Sequence, residues 1–119
     1  MEFDNDRPIY LQILDDFKSK ISSGLWSPGQ KIDSVRNLSK SYEVNPNTVQ
    51  RALAELERDG LCKSQRTAGR FVTDDKDFIK SLSKNEFELI CDDFITNAKN
   101  LGIGKKDAID GLYNFWKED

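Results

Sequence analysis

The sequence predicts a mainly α-helical protein with one small β-hairpin. Three observations support this fold class. Apolar residues recur at helical spacing in several segments, capping residues and glycines separate those segments, and two short apolar runs flank a glycine-containing loop. Three predicted helices and the hairpin occupy residues 1–73, and two further helices occupy residues 74–119. We therefore predict a first domain that ends near Thr73 and a helical tail after it.

The first predicted helix runs from about Pro8 to Ser23. Proline suits the first helical turn, and Asp6 is placed to cap it. Gly24 ends the helix, and a turn follows at Ser27-Pro28-Gly29. Tyr10 and Leu14 lie beside an apolar stripe that recurs every fourth position: Ile9, Ile13, Phe17 and Ile21.

Two more helices follow in close succession. The second is predicted over about Ser34 to Tyr42, with Ser34 as its cap, and Glu43-Val44 breaks its pattern. The third has the strongest start signal in the chain, because Asn45 is a good N-cap and Pro46 a good first residue. Gly60 stops it. Its apolar face consists of Val49, Ala52, Leu53 and Leu56.

The hairpin and the tail complete the pattern. Leu61–Ser64 and Arg70–Thr73 are predicted strands on either side of the loop 66–69. Residues 74–81 form a polar, charged junction that is expected to continue partly as helix. Ser83 to Glu86 then fits a capping box for a helix closing at Leu101-Gly102. A last helix is expected from about Lys105.

The composition excludes several classes of function. Histidine is absent, which removes Ser-His and Cys-His catalysis and most transition-metal sites, so we expect no enzyme and no cofactor. The acidic N-terminus is unlike a signal peptide, and no apolar run is long enough for a membrane span. We expect a cytoplasmic protein. Cys62 and Cys91 are interpreted as reduced, buried thiols, with a disulfide as the alternative.

The charge of the chain is unevenly distributed. The net charge is −3, yet residues 31–73 hold eight basic and five acidic side chains and are net positive. A local basic patch, rather than the total charge, is what binds phosphates. The middle third of the chain is therefore the candidate surface for nucleic acid.

The order helix, helix, helix, hairpin is the layout of a winged helix-turn-helix. In that layout the helix after the tight turn lies in the major groove with its first turn toward the bases. Here that turn presents Asn47, Thr48 and Arg51, residue types that pair with adenine, the thymine methyl and guanine. Arg66 and Arg70 of the hairpin suit phosphates or a narrow minor groove. Taken alone, Arg51 could equally be a solvated helix residue.

Residues 7–73 resemble the DNA-binding domain of the GntR superfamily of bacterial regulators. Arg7 to Ile13 is similar to its first helix, Gly24 to Ile32 to its "G-x-x-x-P-G-x-x-L" connection, and Ser34 to Leu38 to its "S-x-R-x-L" segment. Asn45–Leu56 resembles its recognition helix and Arg66–Val72 its wing. The short tail, with a break at residues 101–103, resembles the YtrA-type branch.

The resemblance implies a function and a set of contacts. It implies phosphate or groove-edge contacts from the second helix, phosphate and base contacts from the third, and a wing tip at the hairpin loop. The predicted DNA-binding residues are Ser34, Arg36, Asn45, Asn47, Thr48, Arg51, Arg66, Gly69 and Arg70. Three positions depart from the family pattern: Asp33 replaces a proline, Pro46 a basic or small polar residue, and Thr67 the first wing glycine.

The tail carries more large apolar side chains than two helices can bury. We predict that it forms a two-fold dimer interface, which suits a reader of palindromic DNA. Packing onto the first domain is the alternative, and a small-molecule effector pocket at the interface is a further possibility. The predicted interface consists of Phe87, Ile90, Phe94, Ile95, Ile109, Leu112, Phe115 and Trp116.

Two functions of different classes follow from these patterns. The first is a homodimeric transcription repressor that binds double-stranded DNA at a palindromic operator. The second is a winged-helix protein-interaction module without specific DNA binding, which the acidic net charge and Asp33 favour. Salt-dependent binding to a specific duplex distinguishes them.

Overall fold

The first helix, α1, spans Ile9–Ser22 in the computed structural model, which describes residues 1–118. Three residues of its predicted apolar stripe face inward: Ile13 and Phe17 have no exposed surface, and Ile21 is buried. Ile9, the first residue of the stripe, is 43% exposed, which corrects the prediction at that position. The predicted cap at Asp6 is wrong, because Pro8 is the N-cap residue and no side chain caps the helix. Instead, the Gln12 side-chain amide donates to the carbonyls of Asp4 and Arg7 at 3.0 and 2.9 Å and so holds the preceding segment.

The second and third helices begin at the predicted caps. In α2, Val35–Tyr42, the Ser34 hydroxyl accepts a hydrogen bond from the Asn37 N–H at 3.1 Å. Helix α3 spans Pro46–Arg58, and its cap Asn45 accepts from the Asn47 N–H at 2.8 Å. Between them Glu43 adopts a left-handed conformation with φ 58°. The tight turn that a helix-turn-helix needs is therefore made at Glu43.

A short polar network fastens α2 to α1. The Tyr42 hydroxyl donates to Asp16 Oδ2 at 2.6 Å and accepts from Lys20 Nζ at 2.6 Å. Burial, with a further contribution from Asp16, raises the pKa of Tyr42, so the phenol remains protonated and continues to donate. The two helices are thus joined by hydrogen bonds as well as by apolar packing.

The hairpin forms as predicted, with strand boundaries shifted by one residue. Strand β1 spans Cys62–Gln65 and pairs antiparallel with β2, Gly69–Val72. The segment after the first turn lies along the other side of β2, because Ile32 N–H donates to the Arg70 carbonyl and Val72 N–H to the Gln30 carbonyl, both at 2.9 Å. This third segment was not predicted from the sequence.

The core lies where α1, α2, α3 and the hairpin meet. The largest fully buried side chains are those of Phe17, Ile13, Leu53, Leu56, Val49 and Val72. Beyond the hairpin, Ile79 is only 8% exposed, and the Phe78 ring lies close to Gly60. The first compact unit accordingly extends through Ser81.

Helix α4 spans Lys76–Asn100, so the junction expected to be partly helical is helical from Lys76, and the capping box at Ser83 lies inside the helix instead of starting it. The helix begins earlier because Asp75 Oδ1 accepts from the Phe78 N–H at 3.0 Å, and no glycine or proline interrupts the residues that follow. It closes at Gly102, as predicted, with φ +75°. Helix α5 then spans Lys105–Phe115. A second compact unit begins at Leu82, inside α4.

Two further findings concern the thiols and the membrane. Cys62 is buried, as expected, whereas Cys91 is only half-buried, which corrects the expectation that both thiols lie inside a core.

Among residues 1–118, no helix is long and apolar enough to cross a membrane.

Candidate nucleic-acid interface

The first two turns of α3 separate apolar from polar residues. Val49 and Leu53 are buried in the core, while Asn47 and Arg51 are exposed and Thr48 is half-buried. A capped helix with a buried inner face holds these three polar side chains on a rigid element. The turn predicted to read bases is therefore available to a ligand in this chain.

Arg51 has an aromatic partner that sequence reasoning missed. Its guanidinium carbon lies 3.8 Å from the centroid of the Tyr10 ring, on α1. The sequence pattern assigns Tyr10 only to the apolar side of α1, although the residue is half-exposed. The available signal was an aromatic residue beside the α1 stripe, on a helix that must pack against α3. The structure thus joins α1 to the candidate reading surface.

The start of α2 carries one cation and one anion. Arg36 is exposed, and Ser34 uses its oxygen to cap the helix. Asp33 accepts hydrogen bonds from Asn37 Nδ2 at 2.9 Å and from the Ser34 N–H at 2.8 Å. These bonds, the one from Asn37 first, lower the pKa of the Asp33 carboxyl. The departure at position 33 therefore places a fixed negative charge beside the predicted phosphate contacts.

The hairpin presents Arg66 at its exposed tip. Thr67 adopts φ 58°, so the position that lacks the expected glycine still takes a left-handed conformation. Gly69 has φ +108°, and a Cβ there would lie 3.1 Å from Lys31 Cε. Both backbone geometry and space therefore favour glycine at position 69.

Arg70 differs from Arg66. Its Nε lies 3.5 Å from Glu57 Oε1, and its side chain is only 21% exposed. The Ser64 hydroxyl donates to the same carboxylate oxygen at 2.7 Å. The structure therefore pairs Arg70 with α3 and ties the hairpin to that helix, which corrects the expectation of a free cationic arm at this position.

A groove of about 1060 Å³ opens between the hairpin and the start of α2. Its lining includes Ser34, Thr67 and Gly69 together with the cations Lys20, Lys31 and Arg70. Lys31 is exposed and was not among the predicted contacts. The sequence signal for it was its place in the net-positive middle third.

The tail presents a different kind of surface. We call the eight apolar residues predicted at the dimer interface the apolar tail surface, and in the single chain each of them is exposed. Phe94 is 37% exposed and Phe115 83%, with the others between these limits. Soluble monomers rarely expose so many large apolar side chains together, so this surface indicates an interaction.

Comparison with known proteins decides the family. The model of the family described as bacterial regulatory proteins, gntR family, matches residues 9–72. The chain belongs to the gntR family. Within the family, it is 32% identical over 114 residues to the uncharacterized HTH-type transcriptional regulator YhcF of Bacillus subtilis, which covers 96% of this chain and 94% of that protein. It is also 40% identical over 67 residues to the transcriptional repressor YtrA of the same organism. That match covers 56% of this chain and 52% of YtrA.

Solved structures of gntR-family proteins give the same result. A GntR family transcriptional regulator from Listeria monocytogenes superposes with a TM-score of 0.89 at 36% identity, covering 96% of this chain and all of that one. AraR(DBD) in complex with operator ORX1 superposes with a TM-score of 0.57 at 28% identity. The superposition covers 60% of this chain and 93% of the AraR chain. The predicted winged-helix fold and family are confirmed, and this gntR-family chain is a DNA-binding transcription regulator.

Proposed function

We propose that the chain is a homodimeric repressor that recognises a palindromic operator through α3 and the hairpin. The observation that carries the proposal is the polar side of the first two turns of α3. There Asn47 and Arg51 are exposed, and within residues 1–118 their side-chain nitrogens have no hydrogen-bond acceptor. A rigid helix with polar groups left for a ligand is what major-groove reading requires.

The proposed contacts divide into two kinds. Asn47, Thr48 and Arg51 read base edges, because these residue types match adenine, the thymine methyl and guanine. Backbone phosphates are held by Arg36 and Arg66, both exposed cations that flank α3. The remaining members of the site support the geometry or add phosphate contacts: Ser34, Asn45, Gly69 and Arg70.

A second copy of this chain is the proposed occupant of the apolar tail surface. A palindromic site has two half-sites about one helical turn apart, and a two-fold dimer places one reading helix in each. Two identical apolar faces also form a self-complementary interface without any further partner. The tail therefore supplies pairing, and the first unit supplies DNA contacts.

Repression is the proposed outcome of binding. The relative YtrA is a transcriptional repressor by name, and it is 40% identical to this chain over 67 residues. A dimer that occupies its operator tightly excludes other proteins from the same stretch of duplex. Repression requires no surface beyond those already described.

Selection of bound duplexes from a random pool tests the proposal. We expect a palindromic consensus, bound about 10³–10⁷ times more tightly than random duplex, with affinity that falls as salt rises. Sedimentation of the complex should give two protomers per duplex. A pool that shows no enrichment after repeated rounds would contradict specific recognition, and one protomer per duplex would contradict the dimer.

The alternative is a winged-helix interaction module that does not read DNA. The Asp33 carboxylate at the start of α2 favours it, because a fixed negative charge there repels phosphate. This alternative predicts that no specific duplex is enriched, so the selection experiment separates the two functions.

A further inference from the structure

The contact between Tyr10 and Arg51 joins α1 to α3, the helix proposed to read the bases. The guanidinium carbon lies 3.8 Å from the ring centroid, well within the range of a cation–π interaction. Ile9, Tyr10, Asn47, Thr48 and Arg51 together line a shallow groove of about 350 Å³. The stacked pair therefore lies in the same groove as the other two proposed base contacts.

Stacking holds an arginine without using its hydrogen bonds. The guanidinium is planar, and its N–H donors point outward from the edge while its face can lie on a ring. A free arginine side chain loses rotamer entropy when it is fixed on a base. An arginine that is already stacked loses less of that entropy on binding, and its donors remain available for guanine.

We propose that Tyr10 is a positioning residue for Arg51, so that α1 contributes to base specificity although it lies outside the reading helix. This inference rests on the proposed function, since it assumes that Arg51 contacts a base. Within residues 1–118 no carboxylate is paired with Arg51, and Tyr10 is the aromatic residue stacked with it. The ring face, rather than the phenol hydroxyl, performs the positioning.

The test uses the full chain and two duplexes. One duplex is the sequence selected by the wild-type protein. The other carries a substitution at the base pair where Arg51→Ala loses discrimination. Affinities are measured for wild type, Tyr10→Leu, Tyr10→Phe, Arg51→Ala and the double variant Tyr10→Leu/Arg51→Ala. Leucine keeps apolar bulk without a ring, and phenylalanine keeps the ring without the hydroxyl. Thermal unfolding of each variant checks that the fold is retained.

The expected pattern is specific to positioning. Tyr10→Leu should weaken binding to the selected duplex about two- to fivefold, the size of an exposed cation–π contact, and leave the substituted duplex unaffected. Tyr10→Phe should restore wild-type affinity. In the Arg51→Ala background, Tyr10→Leu should have no further effect, because there is no guanidinium left to position.

Other outcomes overturn the inference in distinguishable ways. Equal loss on both duplexes would make Tyr10 a phosphate contact or a packing residue. Failure of Tyr10→Phe to restore affinity would assign the role to the hydroxyl. If the wild-type protein discriminates but Arg51→Ala does not alter that discrimination, Arg51 reads no base and the inference fails while the proposed function stands. A wild-type protein with no sequence preference would refute the proposed function itself.

Discussion

The two compact units treat their apolar residues in opposite ways. In the unit that ends at Ser81, an apolar core is enclosed and Phe17 has no exposed surface, although Ile9 and Leu25 remain exposed. In the unit that begins at Leu82, none of the described residues is buried, and Phe115 is 83% exposed. Both units carry apolar residues at helical spacing, so the pattern alone does not distinguish them.

The difference lies in what each unit can supply to itself. Three helices and a hairpin pack against one another in the first unit, so most of its apolar residues meet another part of the same chain. Beyond Leu82 there are only the remainder of α4 and helix α5 among the residues that the structure describes. The first unit is therefore structurally complete and can present polar groups to DNA, whereas the second requires another surface.

Truncation after Ser81 should give the largest effect. Once two reading units are linked, binding of the second half-site becomes intramolecular, which raises affinity by about 10²–10⁴ over a single unit. We expect the truncated protein to be a folded monomer that binds a single half-site. It should bind a two-half-site duplex without the additional affinity that linkage provides. Sedimentation and a titration on one- and two-half-site duplexes measure it.

The position of the cut provides the control. Truncation after Thr73, the boundary predicted from sequence, also removes Phe78 and the buried Ile79. That shorter protein should be less stable than the one ending at Ser81. A chain ending at Ser81 that remains dimeric would place the interface in the first unit and contradict the division of labour.

A matched pair of phenylalanines tests the comparison in the core. Phe17→Ala removes a fully buried ring and should destabilise the first unit by about 3–5 kcal/mol. Phe115→Ala, at an exposed position, should leave the unfolding free energy of that unit unchanged and weaken self-association. Denaturant titration at several protein concentrations separates the two effects. Equal destabilisation by both variants would show that Phe115 belongs to the same core.

The first unit was predictable from sequence because its signals are local. Asn45 and Pro46 start α3, Ser34 caps α2, and Gly60 ends α3, and each of these positions behaves as its residue type dictates. The start of α4 was less predictable than that of α3, for a related reason. The capping box at Ser83 is a local pattern, but an uninterrupted helix from Asp75 onward overrides it.

The interactions of the candidate site were less predictable than its members. A sequence does not show which side chain on another helix a given arginine meets. Arg51 stacks on Tyr10, and Arg70 pairs with Glu57, and both contacts arise only when distant segments pack together. Lys31 is brought beside Gly69 by a pairing with β2 that no local pattern predicted.

Arg51→Ala should alter the first unit's function without altering the second's. We expect specific binding to weaken by about 1–3 kcal/mol, with relaxed discrimination at one base pair of each half-site. Self-association should be unchanged, because Arg51 belongs to the first unit and the apolar tail surface to the second. Titration against a panel of singly substituted duplexes checks discrimination. Equal loss on specific and random duplex would reduce Arg51 to a phosphate contact.

Arg36→Ala and Arg66→Ala should produce smaller, uniform losses. Both cations are exposed and flank α3, so each is expected to neutralise a phosphate rather than read a base. The slope of log affinity against log salt should become shallower by about one unit for each phosphate that is no longer neutralised. Lys117→Ala, in the tail, is the matched control and should leave the slope unchanged. A slope unaffected by either arginine variant would exclude it from the interface.

The smallest expected effect uses the one thiol that each unit carries. Burial, followed by the negative charge of Glu57, raises the pKa of Cys62 to about 11, so at neutral pH little reactive thiolate forms there. Cys91 is half-buried on α4 next to Ile90, a member of the apolar tail surface. Iodoacetamide should therefore modify Cys91 and spare Cys62, as mass spectrometry of the digested protein would show.

The same labelling reaction, repeated at several protein concentrations, tests whether the chain forms a dimer through its tail. If a second copy covers the apolar tail surface, dilution below the dissociation constant of the dimer should raise the rate at which iodoacetamide modifies Cys91. The thiol is accessible in the monomer and covered in the dimer. Cys62 should stay unreactive at every concentration and react only in denaturant, since its protection comes from its own unit. A Cys91 rate that stays constant while sedimentation records dissociation would place the interface elsewhere on the chain. If native Cys62 were modified as fast as Cys91, the core of the first unit would have to unfold locally and often. The first unit would then protect its buried residues little better than the tail does.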